Sequence, residues 1–116
     1  MKKKQAKEWD SFLIKMYILV ITTCKEKDEE KIVNELLNKN LVACINSFSI
    51  KSKYIWKGKI ESDDEKLLLI KTKKEKYREV ERKIKELHSY EIPEIICIEI
   101  KEGYKNYLEW INEIVK

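Results

Sequence analysis

Proline occurs once and glycine twice in the 116 residues, which rules out a collagen-like repeat and a Pro- and Gly-rich flexible chain. Apolar residues make up 43% and charged residues 40%, a balance that suits a folded body with a dense ionic surface. Histidine occurs once, at position 88, and the three cysteines at 24, 44 and 97 form no close pair. An odd number of widely spaced cysteines argues against a disulfide framework and for reduced thiols in a cytoplasmic setting. No apolar run approaches the ~18 to 20 residues that span a bilayer, so no membrane partner is expected.

Excess charge of one sign is also scarce once it is divided along the chain. The formal net charge is +4, but residues 1–15 carry Lys2, Lys3, Lys4, Lys7 and Lys15 against Glu8 and Asp10. Residues 16–116 therefore hold 20 basic and 19 acidic groups, which gives no broad electrostatic reason to bind nucleic acid. Lys15 interrupts the apolar stretch between Phe12 and Ile21 and no small-x-small cleavage site follows, which argues against a secretory signal. Residues 1–15 are expected to be a disordered N-terminal extension, with Met16 opening a single domain over 16–116.

Met16 to Cys24 is short, apolar and rich in β-branched residues, the pattern of a central strand buried on both faces. From Asp28, the residues Ile32, Val33, Leu36 and Leu37 recur at helical spacing, and the helix should end near Asn38 to Asn40. Between Ala43 and Trp56 apolar residues favour the even positions, a period of two that means a strand. Lys57, Gly58 and Lys59 form a reversal, after which Ile60 to Thr72 runs back. Tyr77, Val80, Ile84 and Leu87 place one apolar stripe on a second helix ending at His88 or Ser89. Pro93 leads into a strand over Ile95 to Ile100. Past Gly103, Tyr104 to Val115 reads as an amphipathic terminal helix.

The order βαββαβ, with each helix crossing over one face of a four-stranded antiparallel sheet, is an α+β, ferredoxin-like arrangement with a long hairpin between its second and third strands. A two-stranded arm of that length is marginal alone and leaves an open edge, so a second subunit is expected to cover it. Topology alone does not choose a function, because RNA-binding, metal-carrier, acylphosphatase-like and regulatory domains share this fold.

Four segments, in register, narrow the choice: Leu41 to Asn46 (LVACIN), Tyr54 to Lys59 (YIWKGK), Leu67 to Thr72 (LLLIKT) and His88 to Glu94 (HSYEIPE), followed by Tyr107, Leu108 and Trp110. Over essentially all of 16–116 the chain resembles the CutA family of divalent-cation tolerance proteins. The resemblance implies a ferredoxin-like homotrimer, completed by hairpins and terminal segments shared between subunits, with a role in tolerance of copper and other divalent metals. It implies no reaction. Ser89 stands where the family usually has Pro, which predicts a looser turn over His88 to Glu94. The family's Pro-Gly after the cysteine is missing, which predicts a shorter or straighter hairpin.

Cys44 matches the family cysteine, and its thiolate suits Cu(I) or Zn(II); the competing reading is a small core residue, as for Cys24 and Cys97. His88, Glu91 and Glu94 offer imidazole and carboxylate ligands that three subunits could bring together. The competing reading of His88 is a helix terminus. The resemblance also implies that Tyr54, Trp56 and Lys71, with Tyr90 beside them, line an intersubunit cleft or interface. Asp63, Asp64 and Glu65 read as a solvated acidic turn.

There is no nucleophile elbow, phosphate-cradling Gly loop, HExxH motif or Cys/His pair at informative spacing, so no enzyme is expected. The aromatic RNA-recognition pattern is absent, with KLLLIKT at 66–72 in its place. The reading is a cytoplasmic homotrimer that binds or confers tolerance to divalent copper or zinc, with no obligatory cofactor. The alternative is a trimer similar to the PII signalling proteins, sensing a small molecule.

Overall fold

The computed structural model describes residues 16–116; the expected N-terminal extension lies outside them. The β-branched run at the start forms β1 (Tyr17–Cys24). Helix α1 (Glu26–Asn38) carries Glu26, Asp28 and Glu29 in its first turn, where the exposed backbone N–H groups favour negative charge. It closes through Asn40, whose left-handed backbone (φ 55°) lets the amides of Asn40 and Leu41 bond back to Leu37 and Leu36. Strands β2 (Cys44–Trp56) and β3 (Lys59–Lys73) form the long hairpin. A single 3₁₀ turn leads into α2 (Tyr77–Leu87), and β4 (Ile95–Ile100) and α3 (Lys105–Ile114) complete the chain.

The sheet order is β2-β3-β1-β4 with every pair antiparallel, the arrangement expected from the βαββαβ order. Helices α1 and α2 cover one face. There Ile18, Val20, Leu68 and Ile70 pack against Ile32, Leu36, Val80 and Ile84, all fully buried. Truncating one of these to Ala would cost about 2–5 kcal/mol. Two threonines on this face are satisfied within it: Thr72 donates to the carbonyl of Leu41 and Thr22 to that of Glu94.

The expectation that β1 is buried on both faces is corrected. Tyr17, Leu19 and Ile21 point away from the helices and are only half-buried, because no element of the same chain spans that side. Helix α3 covers only its lower end, where Ile111 and Val115 meet Ala43 and Tyr17 and Lys73 donates to Asn112. Ile96 and Ile98 on β4 remain about half exposed.

The hairpin runs from Cys44↔Lys71 to Trp56↔Lys59 without a bulge. Its two-residue turn has positive φ at both Lys57 (50°) and Gly58 (77°), the twist that suits a tight hairpin. Strand β1 accompanies β3 only from Lys66 to Lys73, so the outer part of the arm has no third strand. The molecule is accordingly elongated, 61 × 28 × 23 Å. Tyr54, Ile55, Trp56 and Ile60 on the arm are all exposed.

Candidate functional site

The segment from His88 to Glu94 passes over the end of β1 and faces the base of the arm. Four hydrogen bonds attach it there and a fifth, from the Tyr90 amide to His88, stiffens it internally. His88 Nε2 lies 2.6 Å from the carbonyl of Thr23, and His88 Nδ1 lies 3.1 Å from the amide nitrogen of Tyr90. A carbonyl can only accept and an amide can only donate, so the two contacts assign the proton to Nε2 and the acceptor role to Nδ1. Ser89 donates its backbone N–H (3.0 Å) and its hydroxyl (2.9 Å) to the carboxylate of Asp28, which is fully buried at the start of α1. At the far end, Thr22 donates to the Glu94 carbonyl at 2.7 Å. The acceptor there is the Glu94 backbone carbonyl, so this bond leaves the Glu94 carboxylate unengaged.

Between this segment and the arm lies a cavity of about 650 Å³. The arm contributes Lys53, Tyr54, Trp56 and Glu65; the segment contributes Tyr90, Glu91 and Glu94. Three carboxylates thus face one ammonium. Glu65 is the deepest of them, only 7% exposed, with the Tyr90 phenol beside it and no ion pair among the described residues. The Tyr90 hydroxyl is buried next to the Glu65 carboxylate. Burial first, and then the nearby Glu65 carboxylate, push the Tyr90 phenol well above its ordinary value. Tyr54 donates to Asp63 at the cavity edge, and that bond is the main cause that pushes its pKa up to about 12. Both phenols therefore stay protonated across the physiological range.

Tyr54, Trp56, Tyr90, Glu91 and Glu94 line one cavity, whereas His88 faces Thr23 with both ring nitrogens occupied and acts as a brace for the segment. Cys44 and Lys71 lie elsewhere. They are cross-strand partners at the foot of the hairpin, six residues along β3 from Glu65 and so about 20 Å away. Lys71 donates to Asn46. Cys44 is half-buried beside Tyr107, whose pKa is raised by burial first and then by Cys44. No group of three His, Cys, Asp or Glu stands ready to hold a metal among the described residues.

The acidic stretch at 63–65 needs correction. It is no turn: all three residues lie inside β3, and the reversal comes earlier, at Lys57 and Gly58. Glu65 faces the cavity instead of solvent because the 88–94 segment closes over it. Pattern reading missed both Glu65 and Asp28, since each is one acidic residue in an acidic run; the only available signal was the unbroken pairing of β3 through that run.

Residues 18–114 match the family described as CutA1 divalent ion tolerance protein. The chain is similar to the divalent-cation tolerance protein CutA of Archaeoglobus fulgidus, 43% identical over 84% of this chain and 96% of the relative. It is similar also to that of Pyrococcus horikoshii, at 39% over 85% and 98%. Among solved structures, the one described as the periplasmic divalent cation tolerance protein CutA from A. fulgidus superposes with a TM-score of 0.84 at 41% identity, over 87% of this chain and all of that one. The PII-like protein CutA from Nostoc gives 0.82 at 28% identity, over 85% and 97%. These proteins are named for divalent-ion tolerance or as PII-like, not for a reaction, and the chain belongs to the CutA1 divalent ion tolerance protein family.

Proposed function

We propose that this protein binds divalent cations, copper or zinc, at the cleft between the hairpin arm and the 88–94 segment, and that it does so as a cytoplasmic homotrimer. The observation that carries the reading is Glu65. A carboxylate is costly to bury without a compensating charge, and this one, with a phenol but no ion pair beside it among the described residues, faces a cavity that Glu91 and Glu94 also line. Carboxylate oxygens accept Zn(II) and Cu(II), and with His88 braced elsewhere the cleft offers oxygen rather than nitrogen donors. Glu91 and Glu94 are exposed at the mouth of the same cavity; since no three donors converge among the described residues, sister chains would supply the rest of the ligand set. Cys44 is a separate soft donor at the foot of the hairpin.

Support for the trimer comes from the half-exposed apolar sheet face and the unaccompanied arm, both of which sister chains would cover. Support for the cytoplasm comes from the three unpaired thiols at 24, 44 and 97. Isothermal calorimetry with Zn(II) tests the site. Glu65→Gln should weaken binding by about tenfold or more, whereas undiminished affinity removes the cleft from the function.

One observation favours a second reading, a PII-like sensor of small molecules: the cavity has the volume of an organic ligand site. Three carboxylates against Lys53 oppose a nucleotide's phosphates, so ATP binding in the same calorimeter would replace the cation reading with this one.

A further inference from the structure

The cleft is far larger than a metal ion needs, and half of its character is not acidic. At about 650 Å³ it falls in the range of sites that enclose small organic molecules, whereas each water of a hydrated ion occupies only about 30 Å³. Its walls include the rings of Tyr54, Trp56 and Tyr90. A bare or hydrated divalent ion prefers oxygen and gains little from such walls. An alkylammonium gains from both features, because its methylenes pack on rings and its NH₃⁺ group seeks carboxylates and aromatic faces.

Two of these rings already hold ammonium groups. Lys25 Nζ sits 5.6 Å from the centroid of Tyr90, and Lys57 Nζ sits 5.9 Å from that of Trp56. The chain's own lysines thus display the contact on the rings of the cleft. Within the cavity the deep Glu65 carboxylate has the Tyr90 phenol beside it but no ion pair among the described residues, and the lining itself carries three carboxylates against Lys53, with Lys25 and Lys57 outside it on the ring faces.

We propose that the cleft takes an aliphatic polyamine, a flexible chain of primary and secondary ammonium groups. One terminal ammonium pairs with Glu65 at the base, Glu91 and Glu94 receive the others at the mouth, and the methylene segments lie against Tyr54, Trp56 and Tyr90. The inference rests on the reading of the cleft as a cation site but assigns it a different ligand class from a metal.

Calorimetry of the full chain at low ionic strength, with spermidine and with Zn(II) in separate titrations, tests this. Spermidine should bind once per chain. Glu65→Gln should weaken it by about tenfold or more. Trp56→Leu, at an exposed position where folding is not at risk, should weaken spermidine by about threefold or more while leaving Zn(II) unchanged. Glu94→Gln, also exposed, provides a carboxylate test should Glu65→Gln prove unstable. Zn(II) binding without spermidine binding, or equal spermidine affinity in Trp56→Leu, overturns the polyamine proposal and leaves the metal reading standing. Spermidine binding without Zn(II) binding does the reverse.

Discussion

Ser89 donates both its backbone N–H and its hydroxyl to Asp28, 61 residues earlier, so that the buried start of α1 holds the entrance of the cleft segment. Proline, which the family usually carries at this position, has neither donor and could make neither bond. The looser turn expected from the Ser is therefore not what the structure shows: two hydrogen bonds to a carboxylate replace the rigidity of a ring. Ser89→Pro should remove both bonds and leave the Asp28 carboxylate buried with Lys31 at 3.1 Å as its remaining partner, a loss of about 1–3 kcal/mol seen in chemical denaturation.

The same contact sets an acid limit. Burial alone raises the Asp28 pKa, but hydrogen bonds from Ser89 and Lys31 outweigh it and hold the carboxyl below its ordinary value. A depressed folded-state pKa contributes stability above the unfolded value of about 3.9, and that contribution disappears as pH falls through the folded value. Asp28→Asn should therefore be less stable than wild type at neutral pH, with the gap in Tm closing as the pH falls below about 4.

His88 acts through Tyr90. Substituting His88→Ala deletes the acceptor for the Tyr90 amide and the donor to Thr23. Hydrogen exchange at the Tyr90 amide should accelerate by about tenfold or more, while Zn(II) affinity should fall less than in Glu65→Gln. An unchanged exchange rate contradicts the bracing role.

The three thiols should differ in reactivity. Burial is the largest cause that pushes Cys24 up to about 11, with Asp28 adding to it; Cys24 is fully enclosed while Cys97 is exposed. Since the thiolate is the reactive form, Cys24 should resist iodoacetamide at pH 8 until the protein unfolds. Mass spectrometry of labelled peptides reads this directly.

The uncovered sheet face offers the test of assembly. Ile98 lies on the edge strand β4 of that face, opposite Leu19, and is half exposed in the single chain, so Ile98→Glu disturbs little within the chain. Sedimentation should show wild type as a trimer and the variant as a single chain. An unchanged mass for the variant means that this face is no interface.

Strands, helices and their order were legible because the chain keeps strict periods: β2 alternates, α2 carries Val80 and Ile84 one turn apart, and Lys57-Gly58 marks the reversal. The family resemblance placed Tyr54, Trp56 and Tyr90 with Lys71 at a cleft and Glu91 and Glu94 with Cys44 and His88 in a metal set; that Tyr54, Trp56, Tyr90, Glu91 and Glu94 share one cavity came from the structure. Glu65 was not, because its burial comes from a segment 25 residues later that folds across it, and a local pattern of acidic residues looks the same whether solvated or covered. The half-open face of β1 was misread for a related reason, since an apolar strand has the same composition whether helices or sister chains cover its second side.

Native mass spectrometry, with and without Zn(II) and Cu(II), reads subunit number and bound metal together and so tests most directly whether the Glu65 cleft is a cation site in a trimer. Wild type should appear as a three-chain species that gains metal mass, and Glu65→Gln as the same species without it. A single-chain wild type, or equal metal uptake by the variant, would contradict the account.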